Sequence, residues 1–227
     1  MILRMKYRKT EAGRYLSHLD MARTIERTFR RAELPLVFSA GFNPHPKISF
    51  ASALAVGVTS DGEYLDAELS ELCRAEGVPA LADKISRAAP KVIELLALME
   101  IRKPERSLSA VINRARYLIT LPSADPAGLA RSKAAAAKLL EFETLSLKQP
   151  QGKNLRPWLY ELSISVKDRQ VVLDMLTETG QAGNLKPQDV LTLLNDECRA
   201  NLDKPWLIHR EGLYTQTGGG LRTPMDL

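Results

Sequence analysis

The sequence has little cysteine, no long apolar run and no nucleotide- or metal-binding signature. Its two cysteines, Cys73 and Cys198, lie far apart and form no CxxC or Cys/His spacing, which argues against a structural zinc site. No Walker loop, Rossmann glycine fingerprint or other metal-ligand spacing is present. We therefore expect no cofactor and no metal.

Membrane and export signals are missing as well. No apolar run is long enough to span a bilayer, and the first residues contain no signal-peptide core. Both cysteines are then expected to be buried thiols in the reducing cytoplasm rather than partners in a disulfide. These absences predict a cytoplasmic protein without membrane contact.

Positive charge is concentrated at the start of the chain. The formal net charge is +5, and residues 1–50 contain ten Lys and Arg against four Asp and Glu. That segment contributes +6, so the remaining residues sum to −1. A basic segment of this kind favours a polyanionic partner, and we expect RNA, without specificity for DNA.

Alternating strands and helices are predicted in the first half of the chain. Residues 2–9 alternate between apolar and basic side chains, as in a half-buried strand. Ser17 and Asp20 form a capping-box pattern, which predicts the start of a helix. The predicted buried stripe of this helix is Leu19, Ala22, Ile25, Phe29 and Ala32. Further strands are predicted at 34–38, 48–54, 64–69 and 92–99, with a helix at 79–89.

The second half repeats this order of elements. Its predicted strands are 117–121, 142–147, 160–166, 171–175 and 206–214, and its predicted helices are 125–140 and 187–202. We therefore predict an α+β fold of two ferredoxin-like halves in tandem, each β-α-β-β-α-β with an extra strand. The predicted domains are 1–105 and 113–215, followed by a flexible tail at 216–227.

Carboxylates on the predicted strand 64–69 face the basic strand 2–9 in such a fold. Asp66 and Glu68 would then pair across the strands with basic residues. Those basic residues are Arg4, Lys6 and Arg8. The pairing would remove part of the basic face from contact with a polyanion.

The stretch from Ser39 to Phe50 combines a restricted backbone with polar side chains. Gly41 permits backbone angles closed to other residues, and two prolines fix their own φ angles. A stiff loop that holds polar groups is where function tends to lie. We expect this loop to be the functional centre and to lie near the start of the basic helix. The residues expected close to His45 are Arg14, His18 and Asn43.

Basic and aromatic side chains supply the candidate RNA-binding set. Arginines on the helix can contact phosphates, while Phe42 and Trp158 can stack on unpaired bases. A metal-free ribonuclease would instead use His45 and His18 as catalytic acid and base, because cleavage by 2′-hydroxyl attack needs no metal. The candidate RNA-binding residues are Arg14, Arg23, Arg27, Arg30, Arg31, Phe42, Asn43, Lys47, Lys153, Arg156 and Trp158.

Three motifs in the first half resemble a known bacterial family. They are Tyr15 to Asp20, Ala40 to Ala51, and Gly57 to Ser60 followed by Glu63 to Asp66. Together they resemble the radical-SAM-linked domain of unknown function, which occurs alone or fused behind a cobalamin-binding radical S-adenosylmethionine protein. A weaker motif of the family resembles Asn154 to Trp158. The resemblance implies a partnership with a radical SAM enzyme, whereas this chain has no CxxxCxxC sequence of its own.

Three functions follow from these observations. The first is an RNA-binding accessory factor that presents tRNA or rRNA to a radical SAM modification enzyme. The second is a metal-independent endoribonuclease, since tandem ferredoxin-like domains resemble the enzymes that process CRISPR repeat RNA. The third is a protein adaptor that docks a radical SAM enzyme without touching RNA. Salt-sensitive RNA binding would exclude the adaptor, and product formation in EDTA would identify the nuclease.

Overall fold

Two units make up the α+β fold of the computed structural model. The structure describes residues 1–121, 126–147, 152–167, 170–202 and 205–227. The first unit comprises Met1–Ile112 and Gly212–Leu227, and the second comprises Asn113–Glu211. Within the described residues, no helix is long and apolar enough to cross a membrane.

Four strands and two long helices form most of the first unit. The elements are β1 (Ile2–Lys9), α1 (His18–Arg31), β2 (Ile48–Phe50), β3 (Val58–Glu68), α2 (Val78–Ala88), β4 (Ile93–Ile101) and the short α3 (Leu108–Val111). Strand β3 pairs with β1 on one edge and with β2 on the other, and β4 pairs with the free edge of β1, so the order is β4-β1-β3-β2. Each of these pairings is antiparallel.

The second unit has the same order of elements. The elements are β5 (Arg114–Leu121), α4 (Pro126–Glu141), β6 (Leu159–Lys167), β7 (Gln170–Glu178), α5 (Pro187–Cys198) and β8 (Leu207–Thr217), with β9 (Gly220–Arg222) following in the first unit. Strands β5, β7 and β6 form antiparallel pairs in that order, and β8 lies beside β5. Strand β8 begins in this unit and ends in the first.

Apolar side chains of β1 and of both long helices form the core of the first unit. Ile25 and Phe29 of α1 are fully buried in it. The predicted stripe of α1 is wrong at its start, because Leu19 is 66% exposed and Met21 is buried in its place. Met21, Ile25 and Phe29 follow each other at intervals of four residues, so they share one face of the helix.

Three predicted segments differ from the structure. Residues 34–38 form no regular strand but only single bridges at Leu36 and Phe38, as expected beside Pro35, which cannot donate to a ladder. Residues 142–147 form no strand either; there the Leu145 N–H donates a hydrogen bond to the Asn154 side chain at 2.9 Å. The expected flexible tail contains β9, which pairs with β8.

Candidate nucleic-acid interface

Helix α1 begins at the capping box that the sequence predicts. The Asp20 N–H donates to Ser17 Oγ at 3.2 Å, and the Ser17 N–H donates to the Asp20 carboxylate at 3.3 Å. The Ser17 hydroxyl also donates to that carboxylate, and these bonds lower the pKa of Asp20. With the start fixed and the apolar face buried, the arginines of α1 must lie on its exposed side.

Arg23 and Arg27 form the arginine stripe of α1. They are four residues apart, and each is exposed. The carboxylate nearest to Arg23 is that of Asp20, with 3.9 Å between Nη1 and Oδ1. Within the described residues, Arg27 has neither an ion pair nor a hydrogen bond from its side chain. Two guanidinium groups are thus available to an anion on one side of the helix.

Arg30 and Arg31 lie at the end of α1, and the guanidinium group of each already donates a hydrogen bond within the protein. Arg30 donates to Glu26, one helical turn earlier, at 2.6 Å. Arg31 donates to the Ala88 carbonyl at 2.9 Å and so ties α1 to the end of α2. Both side chains remain exposed, but each already has a partner within the first unit.

The hairpin loop, residues 37–47, has an exposed tip, and its two ends are joined by backbone hydrogen bonds. The Ser39 N–H donates to the His45 carbonyl at 2.8 Å, and the Lys47 N–H donates to the Val37 carbonyl at 2.8 Å. At the tip, Gly41 has φ +128°, a conformation that other residues rarely adopt. The predicted stiffness therefore comes from backbone pairing as well as from the prolines.

Side chains at the tip point into solvent. Phe42 is fully exposed, and Asn43 and His45 are exposed beside it. Lys47, at the base of the loop, forms an ion pair with Glu68, with 2.9 Å between Nζ and Oε2. The loop therefore offers an aromatic ring, an amide and an imidazole, while its lysine is already paired.

The hairpin loop lies at the end of α1, not at its start. Leu36 bridges to Leu69, whose carbonyl accepts from the Met1 amino group, so the loop lies beside the beginning of β1. The start of α1 lies at the other end of β1, because Lys9 Nζ donates to the Leu16 carbonyl at 2.9 Å. The expectation that the loop lies near the helix start is wrong, since α1 runs antiparallel to β1.

The two histidines have separate surroundings. His18 packs edge-on against Phe50, with 5.3 Å between the ring centroids, at the far end of β2 from the loop. His45 precedes β2 at the loop tip. No contact among the described residues joins them, and no group of three or more His, Cys, Asp or Glu in that part of the chain is arranged to hold a metal.

Arg14 is a structural residue in this fold. Its side chain donates to both carboxylate oxygens of Glu11 at 2.6 Å and to the Gly57 carbonyl at 3.3 Å. The hydrogen bonds to Glu11 raise the pKa of Arg14 above its ordinary value and lower the pKa of Glu11. Only 7% of Arg14 is exposed, so it is not available to phosphates.

In the second unit, the candidate Arg156 supports the backbone. Its guanidinium donates to the Leu140 carbonyl at 2.9 Å, at the end of α4, and to the Leu159 carbonyl at 2.8 Å. Helix ends leave carbonyls without intrahelical partners, and a guanidinium satisfies them well. The predicted RNA-binding role of Arg156 therefore conflicts with its contacts.

Lys153 and Trp158 lie together in the second unit. Lys153 Nζ is 4.3 Å from the centroid of the Trp158 ring, which is a cation–π contact. The indole lies so close to Gly183 that a Cβ there would have no room. Trp158 thus has one face against the protein and is only partly exposed, whereas Lys153 is exposed.

Sequence reasoning did not select Tyr15 as a site residue. The structure leaves 79% of it exposed at the start of α1. Its exposure depends on contacts of the residues on either side, which the local pattern does not reveal.

Two solved structures resemble this chain at low sequence identity. In the archaeal box H/ACA sRNP Nop10–Cbf5 complex, one chain is 14% identical with a TM-score of 0.39, and the match covers 86% of this chain and 43% of that one. A protein described as a glycine cleavage system transcriptional repressor is 11% identical with a TM-score of 0.22, over 92% and 98% of the two chains. These scores are too low to support an argument.

The family comparison is clear. Among curated proteins, none matches this chain. The family profile described as "Uncharacterized protein conserved in bacteria (DUF2344)" matches residues 3–187, which is most of the sequence. This chain belongs to that bacterial family.

Proposed function

We propose that this protein binds RNA through its first unit. In this proposal the arginine stripe of α1 contacts phosphates and the hairpin loop contacts bases. The observation that carries it is the availability of Arg23 and Arg27, the first with only a weak contact to Asp20 and the second with no side-chain partner among the described residues. The other candidate arginines, at 14, 30, 31 and 156, have partners at hydrogen-bond distance.

The spacing of the arginine stripe suits a polyanion. Four residues of α-helix rise about 6 Å, so the two guanidinium groups can contact neighbouring phosphates of one strand. Contacts of this kind release counterions and therefore weaken as salt rises. A solvated helix face with no partner would show no such dependence.

The hairpin loop can supply contacts to bases, which phosphate contacts do not provide. Phe42 offers both ring faces to solvent, and aromatic rings on rigid supports stack on unpaired bases. Because the two ends of the loop are hydrogen-bonded to each other, little conformational entropy is lost when a nucleobase stacks on the Phe42 ring. Asn43 beside it can donate and accept hydrogen bonds at a base edge.

The strand orders support two ferredoxin-like units. In each, the sequence β-α-β-β-α-β has its first and third strands at the centre of the order, as in the split β-α-β plan. We infer that the tandem arrangement expected from the sequence applies, without the strands predicted at 34–38 and 142–147. An experimental structure with a different strand order in either unit would contradict this.

The partner in the cell is inferred from sequence resemblance alone. The three motifs of the first half resemble a domain linked to radical SAM proteins, so the proposed role is an accessory factor that presents tRNA or rRNA to such an enzyme in the cytoplasm. Affinity purification from cells with sequencing of bound RNA and mass spectrometry of bound protein tests this role. Recovery of RNA without a radical SAM enzyme would keep the binding and reject the partnership.

The two alternatives predict different outcomes. A ribonuclease would need an acid and a base near one bond, and the contacts of His18 and His45 do not bring them together. Incubation with RNA in EDTA would give cleavage products if that function were correct. An adaptor would bind no RNA at any salt concentration.

The binding experiment uses charge reversal on the stripe with a matched control. Fluorescence anisotropy with labelled unfractionated tRNA measures the affinity of wild type and of the Arg23→Glu/Arg27→Glu variant. The control, Arg131→Glu/Lys133→Glu, makes the same change in charge on the exposed side of α4. We expect weak binding only in the stripe variant; equal binding by wild type and both variants would contradict the proposed site.

A further inference from the structure

The ring of Tyr15 is held out in solvent by its neighbours. Arg14 is buried, and its carbonyl accepts hydrogen bonds from the Gly57 N–H at 2.9 Å and from Lys9 Nζ at 3.1 Å. Lys9 Nζ also donates to the Leu16 carbonyl at 2.9 Å. With the residues on both sides fixed to the protein, Tyr15 is 79% exposed between them.

Two exposed apolar side chains come from the segments next to Tyr15, one along the chain and one beside the hydrogen bond between Gly57 and Arg14. Leu19, in the first turn of α1, is 66% exposed, and Val56, which precedes the Gly57 that bonds to Arg14, is 55% exposed. We call Tyr15, Leu19 and Val56 the start patch. A patch with a fixed aromatic ring is preorganised to receive a flat apolar surface, because little backbone freedom remains to be lost.

The start patch is continuous with the arginine stripe. Leu19, Arg23 and Arg27 follow each other at intervals of four residues on the exposed side of α1. An occupant therefore needs an apolar, flat group followed by negative charges at regular spacing. A nucleic acid strand has this chemistry, with a base for the ring and phosphates for the two guanidinium groups.

Aromatic side chains occur at both ends of α1. Tyr15 precedes the helix, whereas Phe42 belongs to the hairpin loop at its end, as the contacts of Lys9 and Leu36 show. The 14 residues of α1 span about 21 Å. That length suits a short run of nucleotides along the arginine stripe.

We propose that the ligand is an unpaired RNA strand that lies along α1 and stacks a base on Tyr15. The inference rests on the proposed RNA binding and specifies its substrate class. In a duplex the bases stack on each other and their faces are closed to side chains, so double-stranded RNA would contact only the arginines. Loops, bulges and single-stranded ends of a structured RNA have the open base that Tyr15 requires.

The test compares two ligands and three substitutions of one residue. The ligands are an oligouridylate of about 16 nucleotides and a fully paired RNA duplex of similar length. Tyr15→Ala and Tyr15→Leu remove the ring, and the matched control Tyr15→Phe keeps it without the hydroxyl. The melting temperature of each variant is measured beforehand, and we expect it to be unchanged because the side chain is exposed.

We expect a ligand-specific loss of affinity. Tyr15→Ala and Tyr15→Leu should bind oligouridylate about 5- to 150-fold more weakly, the usual loss for one base stacked on an aromatic ring. Tyr15→Phe should bind it like wild type, and the affinity of all variants for the duplex should be unchanged. The leucine variant keeps apolar surface, so it also remains informative if the alanine variant is unstable.

Three outcomes overturn different claims. If both ring-removing variants bind oligouridylate like wild type while Arg23→Glu/Arg27→Glu binds weakly, the stacking site is wrong and the proposed function stands. If the arginine variant also binds like wild type, RNA binding by α1 fails together with this inference. An equal loss for oligouridylate and duplex would show that Tyr15 acts on the fold of the helix start and not by stacking.

Discussion

Arg4 and Asp66 lie directly opposite each other on β1 and β3, and the guanidinium donates one hydrogen bond to each carboxylate oxygen, at 2.8 and 2.9 Å. Both side chains are buried. Arg4 also donates to the Pro224 carbonyl at 2.7 Å, so residues near the end of the chain cover it. The predicted cross-strand pairing is therefore confirmed for this residue, and Arg4 is excluded from the basic surface.

Removal of one partner from this buried pair should be costly. Asp66→Ala leaves a buried guanidinium without its counter-charge and should lower the free energy of unfolding by about 3–5 kcal/mol. The double variant Arg4→Met/Asp66→Leu should recover most of that loss, because no charge remains buried. Urea denaturation measures both, and an Asp66→Ala protein as stable as wild type would contradict the pairing.

Arg156 should contribute to stability and not to RNA affinity. Arg156→Ala leaves the carbonyls of Leu140 and Leu159 without donors, at a cost of about 1–3 kcal/mol. Arg156→Lys should restore only part of this, because an ammonium lacks the planar fork. Chemical denaturation and tRNA binding are measured on the same samples; lost affinity in a fully stable variant would return Arg156 to the RNA-binding set.

Removal of an exposed side chain at the tip of the hairpin loop should weaken RNA binding without lowering thermal stability. Phe42→Ala should weaken binding to unpaired RNA about 5- to 150-fold with an unchanged melting temperature, because the ring is fully exposed in the protein alone. His45→Ala should likewise leave the melting temperature unchanged while RNA binding is lost. A fall of several degrees in either variant would indicate a structural role instead.

Gly41→Val is the contrasting change in the same loop. A β-branched residue strongly disfavours the φ of +128° observed there, so both the melting temperature and RNA affinity should fall. Thermal melting and anisotropy on one preparation check this. Wild-type behaviour of the valine variant would show that the conformation of the tip does not matter.

Tyr160 should make stability fall at high pH. Burial and the hydrogen bond that its hydroxyl donates to Glu178 raise the pKa of Tyr160 to about 12, against about 10 in an unfolded chain. Below pH 10 both states keep the proton, so the stabilisation is complete. Above it the unfolded state loses its proton first, so stability declines as the pH rises towards 12.

Absorbance of tyrosinate gives the measurement for Tyr160. The difference between the titration curves of wild type and Tyr160→Phe isolates one phenol, which should ionise near pH 12. A difference curve centred near pH 10 would show that the hydrogen bond to Glu178 does not form.

Sequence signals predicted contacts between nearby residues and contacts fixed by strand register. The capping box of Ser17 and Asp20 depends on a three-residue spacing, and the pair of Arg4 with Asp66 depends on the register of two adjacent strands. The function of Arg156 was not predictable, because its acceptor at Leu140 is a backbone carbonyl brought close only by tertiary packing. Arg14 has a local acceptor in Glu11, three residues away, and only its contact with the Gly57 carbonyl depends on tertiary packing. The hairpin loop was assigned to the wrong end of α1 because its position depends on the direction in which the helix crosses the sheet.

The salt dependence of RNA binding tests the central claim most directly. Neutral glutamine removes a phosphate contact without adding repulsion, so Arg23→Gln/Arg27→Gln is compared with wild type and with the control Arg131→Gln/Lys133→Gln over a range of salt concentrations. If both stripe arginines contact phosphates of an unpaired strand, the slope of log affinity against log salt should be smaller in magnitude by about 1.4 in the stripe variant alone. Identical slopes for all three proteins would show that the arginine stripe of α1 does not bind RNA.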